Sequence, residues 1–215
     1  MSVGCGGDEG ALPTPEAPTW SLGCDEKAAA TTSASCIVSF EPGVDAGFGQ
    51  EQMPDVIYGD PIGNGDTAGS LDVLSLGRFG SITLGFGSNT IVDLPGPDFV
   101  VFENPFFASG NKDNVFAELA EVSVSDDGKT WTTFSCEKAA KPPVGCAGYA
   151  PVFANADLNI SAYDPAVSGG DMFDLGDLGV TSARFVRIKD LEGKGGAPSA
   201  GFDLDAITIL HGSAP

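Results

Sequence analysis

Glu121-Val122-Ser123-Val124-Ser125-Asp126-Asp127-Gly128-Lys129-Thr130-Trp131-Thr132-Thr133-Phe134 decides the fold class of this chain. Two β-prone runs flank Asp126-Asp127-Gly128-Lys129, and an Asp-Gly step supplies the backbone freedom that a tight hairpin needs. Val122 and Val124 alternate with Ser123 and Ser125, so one face of the hairpin is expected to be buried and the other solvated. Trp131 is assigned to the packed side.

Outward from this hairpin, short β-rich runs recur between turn signals at residues 36–40, 56–58, 71–76, 81–86, 99–102, 184–188 and 204–210. Together with residues 120–125 and 130–134 they predict about nine strands, the spacing of an all-β antiparallel β-sandwich. Residues 137–180 have weaker periodicity and read as a long loop-rich excursion pinned by Cys146.

Composition agrees with this class. Of 215 residues, 30 are glycine and 15 proline, which leaves few windows for an amphipathic helix, while 42% hydrophobic residues suffice for a core. The length fits one domain, assigned to residues 21–215, preceded by a tether over residues 1–20 that contains Pro13, Pro15 and Pro18. Ten basic against 30 acidic side chains give a net charge of −20, which excludes nucleic acid and anionic lipid surfaces as partners. The excess carboxylate favours divalent cations, neutral sugars or basic protein surfaces.

Four of the five cysteines fall into two close pairs, Cys24 with Cys36 and Cys136 with Cys146. Three connectivities are open to four cysteines, and two short-range disulfides are the economical one. Disulfides imply an oxidising compartment, hence an extracellular or cell-surface location. The fifth, Cys5, follows Ser2-Val3-Gly4 and precedes a polar Gly-rich run, as at the mature start of a bacterial lipoprotein. Lipidation there would anchor the chain to a bacterial outer membrane or hold it in the periplasm; the alternative is a free thiol in a tail. Any membrane attachment is expected through that anchor alone.

Val122-Ser123-Val124-Ser125-Asp126-Asp127-Gly128-Lys129-Thr130-Trp131 resembles the discoidin or coagulation factor 5/8 type C class of galactose-binding-like modules, and Ala183-Arg184-Phe185-Val186-Arg187-Ile188 fits the same class. Three further stretches, at residues 69–77, 96–104 and 201–206, are similar to a family of bacterial cell-surface proteins built on that pattern. The resemblance spans about residues 56–211. It implies a jelly roll, often calcium-bearing, that binds glycans or surface components. The terminal disulfide of blood-type discoidin domains has no counterpart here.

The chemical inventory is acidic. The sole histidine, His211, lies near the C-terminus, and no nucleophile elbow, zinc-protease motif or phosphate loop occurs. Asp203, Asp205, Ile207 and Ile209 share one face by period-two alternation, so two carboxylates head an apolar stripe. If that face points inward, a bound Ca²⁺ would relieve the cost of burying both charges. Two alternatives stand beside it: the first half of the strand overhangs into water, or Leu204, Ala206, Thr208 and Leu210 form the buried face. Asp98 and Glu103 bound an apolar strand, and each is a candidate ligand at a rim site. Asp72 is a further candidate, although Asp in such a turn is commonly a turn former. Phe106, Phe107 and Tyr58 are candidate ligand-contacting aromatics, with core packing as the alternative.

These residues predict a calcium-stabilised, noncatalytic extracellular module that recognises a glycan or another cell-surface protein. The alternatives are a glycan-active hydrolase or lyase using an acidic pair, and a structural or assembly lipoprotein of the cell surface.

Overall fold

The computed structural model describes residues 24–25, 27–191 and 193–214. Cys5 and the expected tether lie outside them. The strands are β1 (Cys36–Glu41), β2 (Leu74–Ser75), β3 (Ser81–Gly85), β4 (Thr90–Val92), β5 (Phe99–Phe102), β6 (Phe106–Phe107), β7 (Val115–Phe116), β8 (Ala120–Ser125), β9 (Thr132–Thr133), β10 (Asp171–Phe173), β11 (Ser182–Ala183), β12 (Phe185–Asp190), β13 (Asp203–Leu204), β14 (Ala206–Ile209) and β15 (Gly212–Ser213). Only short 3-10 turns interrupt them among the described residues.

Five strands form one antiparallel sheet in the order β1-β3-β12-β8-β9, and β10-β5-β14 form a second. Ile82, Leu84, Val122, Val124, Val186 and Ile188 from the first sheet join Phe99, Val101, Ile207 and Ile209 from the second in one buried cluster. The chain is therefore an all-β sandwich, and the valines of the hairpin point inward as expected. Phe99, Phe134 and Phe173 lock the core across the sheets, with ring centroids 5.2 Å apart for Phe99 and Phe173 and 4.9 Å for Phe134 and Phe173.

The number and placement of strands differ from expectation. Fifteen are present among the described residues rather than about nine, and most of the additional ones are two or three residues long, too short for a periodic pattern to register. Residues 56–58 form no strand: Asp55–Ile57 is a 3-10 turn that still buries Val56 and Ile57, because an apolar run demands burial rather than extension. The run at 71–76 contracts to Leu74–Ser75, leaving Leu71 exposed.

The excursion has a structural purpose that its sequence hides. Val152, Ala154 and Ala162 pack against Val100, Phe102 and Ala206, on the side of the second sheet away from the main core. That sheet is therefore covered on both faces, which is why Phe99–Phe102 is apolar throughout.

On the outer face of the five-stranded sheet, register aligns Ser39, Thr83, Arg187, Ser123 and Thr133 in one row. Ser123 and Ser125 are buried rather than solvated. The Arg187 guanidinium lies 4.1 Å from the Trp131 ring centroid, so Trp131 belongs to this face and not to the packed side. Thr132 pairs with Val124 and shares the inner face with Phe134, which leaves Trp131 and Thr133 outward.

Both expected disulfides are formed, Cys24–Cys36 and Cys136–Cys146. Gly85 makes room for the first: a Cβ there would lie 2.8 Å from Cys36 Sγ and 2.9 Å from Cys24 Sγ.

Candidate metal centre

Four strands carry an apolar inward stripe that ends on an acid. The stripes are Phe99-Val101-Glu103, Glu118-Ala120-Val122-Val124, Val186-Ile188-Asp190, and Ile209-Ile207 leading back to Asp203. Antiparallel pairing sets Asp190 opposite Ala120, and so delivers these acids to one end of the sandwich. Glu103, Glu118 and Asp203 converge there, with one carboxylate oxygen from each lying within 4.8 Å of the others, and all three are buried.

The surroundings only partly satisfy these charges. Glu103 is 1% exposed, and its Oε2 has no hydrogen-bond partner. Burial, and then the Asp203 and Glu118 charges, push its carboxyl well above the usual range, although it accepts the Asp203 backbone N–H. Burial raises Asp203 to about 6, against the hydrogen bonds that it receives from the Ser75 hydroxyl and the Asn104 side chain. Asp171 stands close behind and is raised by burial to about 6, while its carboxylate accepts the N–H groups of Gly148, Tyr149 and Ala150. Gly148 has φ +93°, and a Cβ there would lie 2.1 Å from the Glu118 carbonyl oxygen, so only glycine permits this approach. Asp190 is fully buried but satisfied, accepting from the N–H groups of Phe79, Gly193 and Phe202.

Three buried carboxylates at this spacing, with an unsatisfied oxygen among them, could hold a metal ion. The donors are all oxygen. Every described cysteine is in a disulfide, and His211 is bound to Asp98 at the opposite end of β5.

Two of the five expected ligands, Asp203 and Glu103, meet in this cluster. Asp205 does not join them, because the terminal strand breaks between β13 and β14: β13 pairs with β2 and β14 with β5. Both faces of this segment are buried, so the overhang into water does not hold, and Leu204, Ala206 and Thr208 are buried as the second alternative has it, but alongside the aspartate face rather than in its place. Asp205 instead accepts the Ile62 N–H at 3.2 Å, and its Oδ2 has no partner. Burial holds its carboxyl well above the ordinary value, and the Asp72 charge adds to this. Asp72 is half-buried and raised by burial and by Asp157, so it stands with Asp205 rather than with the cluster.

Asp98 is the clearest departure. It precedes β5 as Glu103 follows it, so about 16 Å of extended chain separates the two. Asp98 lies in a separate group with Asp93 and Asp174 that could hold a metal ion of its own, while its Oδ1 accepts the Leu94 N–H and faces His211 Nδ1 at 2.9 Å and its Oδ2 accepts the Leu175 N–H at 2.8 Å. These bonds tie turns together.

Glu118, Asp171 and Asp190 were absent from the expected ligand set. Glu118 and Asp190 carry the signal that exposed Asp203, an acid in register with an apolar stripe; Asp171 carries none. Phe106 and Phe107 lie in the β6–β7 hairpin, half-buried, and Phe106 stacks on Phe116 with centroids 5.2 Å apart. Tyr58 packs its ring on the main core.

A pocket of about 160 Å³ adjoins the cluster, lined by Phe48, Ser70, Leu71, Asn104, Ser199 and Asp203 among others. A larger cavity of about 570 Å³ is lined by Lys112, Lys141 and Tyr149 among others. No helix among the described residues is long and apolar enough to cross a membrane. Compared with family models, curated proteins and solved structures, the chain matches none.

Proposed function

We propose that this chain is a calcium-stabilised, noncatalytic binding module of the bacterial cell surface, recognising a glycan or another surface component. One observation carries the metal part of this reading: Glu103, whose buried Oε2 has no partner, converges with two further buried carboxylates, one oxygen of each acid lying within 4.8 Å of the others. Ca²⁺ fits an all-oxygen set of irregular geometry better than Mg²⁺, which demands a near-ideal octahedron and keeps its waters. Such an ion would join the ends of three strands, β5, β8 and β13, and hold the loops at this pole.

The binding part rests on the resemblance of residues 122–131 and 183–188 to galactose-binding-like modules and on the arrangement of the acids. Glu103, Glu118 and Asp203 are all buried, with one carboxylate oxygen of each within 4.8 Å of the others, so they form one cluster rather than a pair across an open cleft. Asp98 and Glu103, the other acids that could serve hydrolysis, sit beyond opposite ends of β5. Two disulfides suit an oxidising compartment, and attachment through Cys5 belongs to the same proposal.

Calorimetric titration of EDTA-stripped protein with Ca²⁺ tests the metal centre, and one saturable site is expected. Incubation with polysaccharides, peptidoglycan included, tests the noncatalytic reading. No binding of Ca²⁺ overturns the first, and new reducing ends or unsaturated products that survive repurification overturn the second.

A further inference from the structure

We infer that the pocket beside Asp203 is a subsite for one neutral sugar ring, whose vicinal hydroxyls complete the coordination of the ion at Glu103, Glu118 and Asp203. The inference rests on the metal reading above and adds the ligand class and its position.

Ca²⁺ takes six to eight oxygen ligands, and the three carboxylates are not wholly available. Glu103 also accepts the Asp203 N–H, and Asp203 also accepts from Ser75 and Asn104. The remaining ligands must come from neutral oxygens. Of the three acids, Asp203 alone lines the pocket, so that side is where an outside ligand would reach the ion. Asn104 joins the two places: its Nδ2 donates to the Ser70 carbonyl at 3.0 Å in the pocket wall, and its side chain hydrogen-bonds the Asp203 carboxylate. Gly69 packs against Asn104, where a Cβ would lie 3.2 Å from Nδ2.

The lining selects the chemistry. Phe48 and Leu71 offer apolar surface, and Leu71 is 82% exposed although its neighbours Ser70 and Val73 are buried. Ser70, Asn104 and Ser199 offer polar groups on the same pocket. An apolar surface beside several hydrogen-bonding groups matches a pyranose, which has C–H faces and a hydroxyl rim. At about 160 Å³, the pocket is well below the roughly 300 to 1,000 Å³ of drug-sized sites, so it admits one ring and not a chain. An anionic ligand is disfavoured, because Asp171 and Asp190 add negative charge around the acids and the chain as a whole carries −20. Two adjacent neutral hydroxyls give an ion two oxygens at once.

Saturation-transfer NMR with methyl glycosides of galactose, mannose, fucose and glucose tests this, with Ca²⁺ and with EDTA, alongside calorimetric Ca²⁺ titration of the same samples. At least one glycoside should give signal in Ca²⁺ and none in EDTA. Ser199→Trp, which fills the pocket, should abolish that signal, and Leu71→Ala should weaken sugar affinity about tenfold, both with Ca²⁺ affinity unchanged. Ca²⁺ binding with no signal from any glycoside overturns the sugar subsite alone. Signal that persists in EDTA or in Ser199→Trp also overturns it, by placing the sugar elsewhere. Absence of Ca²⁺ binding overturns the metal centre and this inference together.

Discussion

Glu103 accepts the backbone N–H of Asp203 while its own carboxylate lies within 4.8 Å of the Asp203 carboxylate. The Asp203 N–H thus offsets part of the repulsion between two side chains of like charge. Glu118 brings a third carboxylate to the same place, and a cation reverses the sign of the interaction.

Glu103→Gln should remove the response to calcium. Wild-type protein in Ca²⁺ at a hundred times its Kd gains about 2.7 kcal/mol over the EDTA state, and the variant should show little of this gain. In EDTA the variant should be at least as stable as wild type, because the amide removes a buried like charge. Thermal unfolding in both conditions measures each effect. A full calcium response in Glu103→Gln would place the ion elsewhere.

Acid should stabilise the metal-stripped protein. Asp171 and Asp203 are raised by burial from 3.8 to about 6 in the folded chain, so the folded state holds protons that the unfolded state releases. That stability is fully present below about pH 4 and is lost as pH rises through about 6. Each shift corresponds to about 3 kcal/mol at most. With Ca²⁺ present the metal-dependent increment should run the opposite way, growing as pH rises, since the ion binds the ionised carboxylates. Urea unfolding across this range, with EDTA and with Ca²⁺, checks both signs; a metal-free midpoint that climbs with pH would contradict the first.

Asp98 should behave as a structural acid, independent of the ion. His211→Ala leaves the Leu94 and Leu175 N–H bonds in place and should cost about 1 kcal/mol. Asp98→Ala strips both backbone N–H groups of their partner and should cost about 3 kcal/mol or more. Neither variant should change the calcium increment, and a loss of that increment in Asp98→Ala would return Asp98 to the ligand set.

The two disulfides close loops with sequence separations of 12 and 10. Thiol titration of oxidised protein under denaturing, nonreducing conditions should find at most the one thiol of Cys5. Replacing Cys136 and Cys146 together by serine should lower stability by about 2 to 3 kcal/mol in urea unfolding. Two or more thiols per oxidised chain would contradict the pairing.

The sequence by itself determined the fold class, the hairpin, the inward valines and the cysteine pairs, because each is written locally: alternation has a period of two, a turn occupies four residues, and each disulfide spans a dozen or so. Asp203 and Glu103 were legible for the same reason, as charges in register with apolar stripes. The companions of an acid are a different matter. Glu118 and Asp203 stand far apart in the chain, and only the antiparallel order of the sheets brings them to one pole. Asp205, two residues from Asp203, was separated from it by a change of pairing partner that alternation cannot encode. Asp98 and Glu103 bound one strand as the sequence implies, and the extended chain between them sends them to different groups of acids. Local periodicity fixes which way a side chain points; only the tertiary pairing fixes what it meets there.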